Sequence, residues 1–185
     1  MKWMLFSVLF FTFSLNAYSE ESWPCATSST LSHESFVLGG YSVKLPMKIE
    51  SIHALTAVSL AVKYSENKKL GLTLLRNDGE YLEEFPVPNG VSLTNYFDLL
   101  YSTNTQAYTQ LADDRHAFLP ELSEVSIFET ADYKAIMATI KLESFNRRLV
   151  IYRKSDPTTV LDVLASNVSS EQIQNIISSF SYKGL

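Results

Sequence analysis

The sequence predicts an α+β domain, an antiparallel β-sheet with two main α-helices packed on it. Several segments alternate apolar and polar residues with a period of two, the spacing of a half-buried strand. Two others place apolar residues at helical spacing directly behind a serine suited to capping. The strands of the C-terminal half are joined by turns of a few residues. Such turns join antiparallel neighbours, because a parallel crossover takes a dozen residues or more. Strands, helix, strands, helix is the element order of an α+β domain.

The chain opens on a different kind of segment. Lys2 gives a short basic start, residues 4–13 form a nearly unbroken apolar run, and Ala17 and Ser19 lie among the small and polar residues before Glu20. That is the pattern of a secretory signal peptide cut at Glu20. A membrane anchor needs about 20 apolar residues to cross roughly 30 Å of hydrocarbon, and Ser14 and Asn16 break this run well short of that. A buried core helix is the third reading. The expectation is a cleaved leader over residues 1–19, export to the periplasm or the extracellular space, and no membrane span after cleavage. Residues 20–35 are rich in Ser, Thr and Glu without an apolar period and read as a flexible polar arm, with 36–185 as a single domain. The one cysteine, Cys25, lies in that arm, so no intrachain disulfide forms although the exported compartment would permit one. Trp23 and Pro24 stand where a lipoprotein cysteine needs a small residue and an adjacent apolar region. A free thiol is the plainer reading, with intermolecular pairing next.

Phe36-Val37-Leu38 and residues 41–45 are expected as paired strands about Gly39-Gly40, since two glycines supply the positive φ angles of a tight turn. Residues 56–64 set Val58, Leu60, Val62 and Tyr64 against Ala57, Ser59, Ala61 and Lys63. This reads as one strand with a larger face, although the alanines leave a helix open. Residues 65–68 turn the chain into a strand over 70–75, and Asn77-Asp78-Gly79 closes it. The first helix opens at Val91-Ser92, and its stripe runs through Leu93, Tyr96, Phe97, Leu100 and Tyr101 to Ala107, Tyr108 and Leu111. Ser92 fits the N-cap and Val91 packs on Tyr96 as a hydrophobic staple.

Ile136, Ala138, Ile140 and Leu142 then share one face of a strand over 134–143. Turns at Phe145-Asn146-Arg147 and Asp156-Pro157 lead into strands over 149–152 and 160–164, completing a three-stranded antiparallel meander. The closing helix begins at Val168-Ser169, with Ser169 as cap and Gln172 three residues on. Ile173, Ile176, Ile177 and Phe180 form its single stripe, and Gly184 lies beyond its end. This element order, with its closing Ile176-Ile177-Ser178-Ser179-Phe180 helix, resembles the Mog1/PsbP-like α/β/α sandwich. The resemblance implies helical layers about a sheet. It carries no residue or activity over, because fold does not determine function.

The chain holds 15 basic and 20 acidic residues, a net charge of −5. Basic residues gather no further than Arg147-Arg148 and Lys68-Lys69, so the basic stripe of a nucleic-acid binder is missing. An anionic membrane surface is unattractive for the same reason. A composition 46% hydrophobic excludes an intrinsically disordered chain. The ten tyrosines suit a contact surface, with their apolar face and polar tip, or half-buried strand positions, and the second reading weighs more.

Catalytic motifs are thin. Gly40-Tyr41-Ser42 starts like a nucleophile elbow, but Lys44 stands where the closing glycine belongs and no helix pattern follows. His33, His53 and His116 are not at metal spacing from one another, and no Walker-type loop, dinucleotide fingerprint, HExxH or CxxC occurs. No cofactor or metal is therefore expected. Asp113-Asp114-Arg115-His116 is the densest polar cluster. Its carboxylates and imidazole suit a divalent cation, but four polar residues after a helix are more simply a solvated connection. Glu83-Glu84 and Asp78-Gly79-Glu80 read the same way. Asn167-Val168-Ser169 is a glycosylation sequon only in a eukaryotic source, and its serine already serves as a cap.

Three function classes remain. The first is a non-enzymatic exported binding or accessory module acting through contact with another exported protein, since no nucleophile has an adjacent base. The second is an inhibitor or immunity protein that neutralises an exported toxin or hydrolase, for which acidic charge would steer association with a basic target. The third is an enzyme with a dispersed site, favoured if a deep pocket gathers His53 or His116 with a carboxylate. Within the first class, Asp113, Asp114, His116 and Phe118 are the expected partner contact. Loops present functional residues on rigid scaffolds, and this stretch joins charges to an apolar tip.

Overall fold

The computed structural model describes residues 18–24, 34–45, 48–64, 67–77, 87–102 and 124–184, together with 111, 113, 115, 117 and 119. The strands are β1 (Tyr18–Ser22), β2 (Glu34–Leu38), β3 (Tyr41–Leu45), β4 (Ile49–Thr56), β5 (Ser59–Tyr64) and β6 (Lys69–Arg76). After helix α1 (Leu93–Tyr101) come β7 (Val125–Glu129), β8 (Tyr133–Thr139), β9 (Arg147–Arg153) and β10 (Thr159–Ser166). Helix α2 (Ser170–Ser179) and the short β11 (Ser181–Tyr182) end the chain. Eight strands form one sheet in the order β1-β7-β8-β9-β10-β6-β5-β4, and β11-β3-β2 form a second. Every pairing among the described residues is antiparallel except that of β1 with β7. The protein is thus an α+β domain.

Alternation along β9 and β10 builds two cores, one on each face of the large sheet. Leu149, Ile151, Leu161, Val163 and Ala165 point to the face covered by α2 and the small sheet. Val150, Tyr152 and Val160 point to the face covered by α1 through Leu93, Tyr96, Phe97 and Leu100. Ser169 caps α2 in a reciprocal box with Gln172, which satisfies donors at the helix start. The helix then buries Ile173, Ile176 and Ile177, each side chain contributing roughly 1.5–3 kcal/mol. The tight turn between β2 and β3 has Gly39 at φ 54° and Gly40 at φ 87°, a backbone open to glycine. A side chain at Gly39 would strike Leu74.

Several expectations need correction. The first helix stops at Tyr101, ten residues before Leu111. Ser102 leaves the helical region, and its N–H and hydroxyl both bond to the Leu99 carbonyl at 3.2 and 3.0 Å. Ser102, Thr103, Asn104 and Thr105 follow one another, and such side chains compete for backbone hydrogen bonds and favour helix ends. The polar arm expected over 20–35 instead contributes Glu20–Ser22 to β1, and Trp23 then packs on Tyr133 at 6.1 Å between ring centroids. An edge strand held by backbone bonds needs no apolar period, so the sequence Tyr-Ser-Glu-Glu-Ser gave no sign of it. The strand expected over 56–64 is broken at Ala57-Val58, where the chain turns from β4 into β5. The tyrosines, by contrast, follow the favoured reading of packed positions among the described side chains: Tyr41, Tyr64, Tyr96, Tyr101 and Tyr152 are buried, and Tyr133 and Tyr182 half-buried.

Candidate binding site

The two helical layers do not cover the sheet equally. The α1-side core takes in residues of β6 through β10 but none from β4 or β5. On that same face the register aligns Leu164, Gly71, Ala61 and His53 across β10, β6, β5 and β4. One step along, Ser166, Lys69, Lys63 and Ser51 form a second row. In the other direction Ser59 and Thr73 share a hydroxyl hydrogen bond of 2.8 Å. Because the central positions are small, the strands leave a trough of about 380 Å³, walled by Leu55, Leu164 and Phe145. A Cβ on Gly71 would meet Leu164 Cβ and Phe145 Cζ at 3.9 Å, so the glycine keeps the floor low without being forced by its backbone.

At the α1 end of the trough lies Asp162, buried and held by Arg148. Nε and Nη2 of Arg148 donate to the two carboxylate oxygens at 2.7 Å each. Guanidinium and carboxylate match as a planar fork, the strong form of such a pair. Phe97 of α1 stacks under the guanidinium, 4.9 Å from its carbon to the ring centroid. Tyr101 completes the lid, its hydroxyl buried without a partner at hydrogen-bonding geometry. Burial pushes the Tyr101 phenol up from its ordinary value, with the Arg148 charge opposing this and Asp162 adding to it. Burial also works against the Arg148 charge, but Asp162 outweighs it and the guanidinium stays protonated.

A second polar group rims the α1 side. Asp98 accepts from Tyr152 Oη at 2.5 Å and Lys134 Nζ at 2.9 Å. Glu129 pairs with Lys134 at 3.2 Å and Lys154 at 2.8 Å. The Lys154 hydrogen bond holds the Glu129 carboxyl below its usual range. Burial pulls Lys134 down, yet Asp98 and Glu129 together hold it above the ordinary lysine value. This network ties α1 to β7, β8 and β9.

Of the expected contact residues, Asp113 is exposed, and Asp114, His116 and Phe118 lie outside the described residues. The stretch is not the expected loop where it is described: residues 111, 113, 115 and 117 carry helical backbone. Arg115 donates to the carbonyls of Leu100 and Ser102, closing orphan acceptors at the end of α1. Ser42 is a buried residue of β3 with neighbours Val37 and Ser181, a strand position. Asn167 sits at φ 58° and donates to the Asn67 carbonyl at 3.3 Å. Cys25, His33, Asp78, Gly79, Glu80, Glu83 and Glu84 lie outside the described residues.

The trough does bring His53 and a carboxylate to one cavity, but not into contact. Three strand spacings separate β4 from β10, roughly 14 Å, and both Asp162 oxygens are already bonded to Arg148. Among the described residues no group of three His, Cys, Asp or Glu is placed to hold a metal ion, and no helix is long and apolar enough to cross a membrane. The Arg148–Asp162 pair went unread in the sequence. Asp162 carried a signal, a lone charge inside the apolar run Val160-Leu161-Asp162-Val163-Leu164, whereas Arg148 was masked by its neighbour Arg147. The small residues of the trough gave no signal, because Ser59, Ala61, Gly71 and Thr73 are ordinary strand residues until their register is known.

No protein-family model matches the sequence, and no curated protein matches it. Among solved structures, the chain is similar to the solution structure of cyanobacterial PsbP (CyanoP) from Synechocystis sp. PCC 6803. The identity is 13%, over 85% of this chain and 96% of that one, with a TM-score of 0.45. A likeness at that level transfers no residue, ligand or activity.

Proposed function

We propose that this chain is an exported, non-enzymatic binding or accessory module that acts through contact with another exported protein. The contact is made by the open end of the large sheet, in place of residues 113–118. The observation that carries this reading is the exposure of β4, the outermost strand, from Ile52 to Thr56. The large hydrophobics exposed among the described residues are Val37, Ile52 and Leu55, and Leu55 is 64% exposed. An edge strand with an apolar side chain on each face and free backbone groups is a ready surface for a partner chain. Bulges at its two ends confine the regular pairing to residues 51–54, which guards such an edge against uncontrolled association. Export rests on the basic, apolar and small-residue pattern of residues 1–19.

The test uses the protein recovered from the exported fraction as bait. Ile52→Ser with Leu55→Ser should abolish capture of the partner and leave the melting temperature nearly unchanged, while Asp113→Ala should retain capture. The reverse pattern returns the contact to residues 113–118. Turnover of an ester, glycan or peptide substrate by the purified protein would replace the binding reading with an enzyme.

A further inference from the structure

Lys63 and Lys69 stand directly opposite one another on β5 and β6. Like charges in that position repel and weaken a sheet. Glu50 meets Lys63 at 3.3 Å, which leaves two cations and one carboxylate at this end of the trough. Ser51 and Ser166 flank the two lysines in the same row, adding a hydroxyl on each side. At the far end, Asp162, the carboxylate among the trough's lining residues, is neutralised by Arg148, and Glu50 at the lysine end is offset by two lysines. The local field is therefore positive in a chain whose net charge is −5. Between the two ends the floor is Ala61 and Gly71 and the walls are Leu55, Leu164 and Phe145.

An apolar cavity with a few polar groups gathered at one end is the usual form of a small-molecule site, and 380 Å³ falls within their range of about 300–1,000 Å³. We propose that the trough binds one small anionic amphiphile in free solution, a carboxylate on a medium-length hydrocarbon body. The head group lies between Lys63 and Lys69, where it relieves their repulsion. The body covers Ala61 and Gly71 against Leu164 and Phe145. This site goes beyond the protein contact proposed above and does not depend on it, since its floor and lysines lie on β5 and β6.

Sodium decanoate below its micelle concentration, titrated calorimetrically into the purified exported protein, is the direct probe. Saturable one-to-one binding is expected, weaker by about tenfold for uncharged decanol because the charge-assisted contacts are lost. Lys69→Gln, at an exposed position, should weaken decanoate by a similar factor and leave decanol unchanged. Gly71→Leu should raise the floor and abolish binding of both; if that variant fails to fold, Lys69→Gln decides. Equal affinity for decanoate and decanol, or decanoate binding untouched by Lys69→Gln, overturns the proposal. So does binding to phosphatidylglycerol vesicles without any response to free decanoate, which would make the surface a membrane contact. Loss of partner capture on Ile52→Ser alone, a residue that does not line the trough, with decanoate binding retained, separates this site from the protein contact.

Discussion

The two halves of the large sheet are built from similar strands and do different things. In β9 and β10, covered on both faces by α1 and by α2 with the small sheet, nearly every residue is buried. In β4, five of the eight residues in a row are exposed. The fully buried charges of the covered half are paired with each other, Arg148 with Asp162. The open half carries small and polar residues on one face and pairs its charges loosely, as at Lys63 and Glu50, both about half exposed. Layering, and not strand composition, decides the difference: α1 ends after nine residues and packs over β10, short of β5 and β4. The covered half supplies the stability that lets the open half keep an uncovered face.

That division makes a ranked set of outcomes. The largest effect should follow Ile177→Asp. Ile177 is fully buried in α2 against the sheet, and an unpartnered carboxylate there should cost several kcal/mol, visible as a collapse of the thermal melt. Asp162→Ala comes next. It leaves the Arg148 guanidinium buried without its carboxylate, a loss of about 3–5 kcal/mol in urea unfolding. Replacing both, Arg148→Met with Asp162→Leu, should restore most of it, because the pair itself contributes little beyond its own desolvation. Lys63→Ala in the open half should change stability by about 0–1 kcal/mol. If Asp162→Ala costs no more than Lys63→Ala, the two halves are not energetically distinct. Ser169→Ala, which removes the α2 cap, should fall between them at about 1 kcal/mol.

The covered half was also the legible half. The meander β8-β9-β10, the capped closing helix and the glycine turn between β2 and β3 follow from period, cap and turn chemistry, all local signals. The open half was read poorly for a physical reason. An edge strand exposed on both faces has no obligation to alternate, so residues 49–56 showed no period. The trough is a product of register: Gly71 and Ala61 become neighbours only once β5 and β6 are paired, and no local pattern states that. The 113–118 stretch attracted notice through its density of charge, yet Arg115 is spent on the C-terminus of α1. A dense polar run marks solvent or capping as readily as it marks function.

The smallest effect concerns pH and distinguishes the two halves by their ion pairs. The Glu129 carboxyl lies below its usual range, first because of the Lys154 hydrogen bond. A depressed carboxyl stabilises the fold above its unfolded value, and that contribution disappears as pH falls through the folded value. Lys154→Ala should therefore lower stability slightly at neutral pH, while the variant and the parent converge in acid, so the acid limb of the stability curve becomes shallower. Lys134 still holds Glu129 at 3.2 Å and limits the change. The contribution is also screened, because both side chains are more than a third exposed. Melting curves from pH 3 to pH 7, with a 1 M salt series alongside, would read it. A Lys154→Ala deficit that persists undiminished in acid would assign the effect to lost packing of the lysine stem and remove Glu129 from the electrostatic support of the covered half.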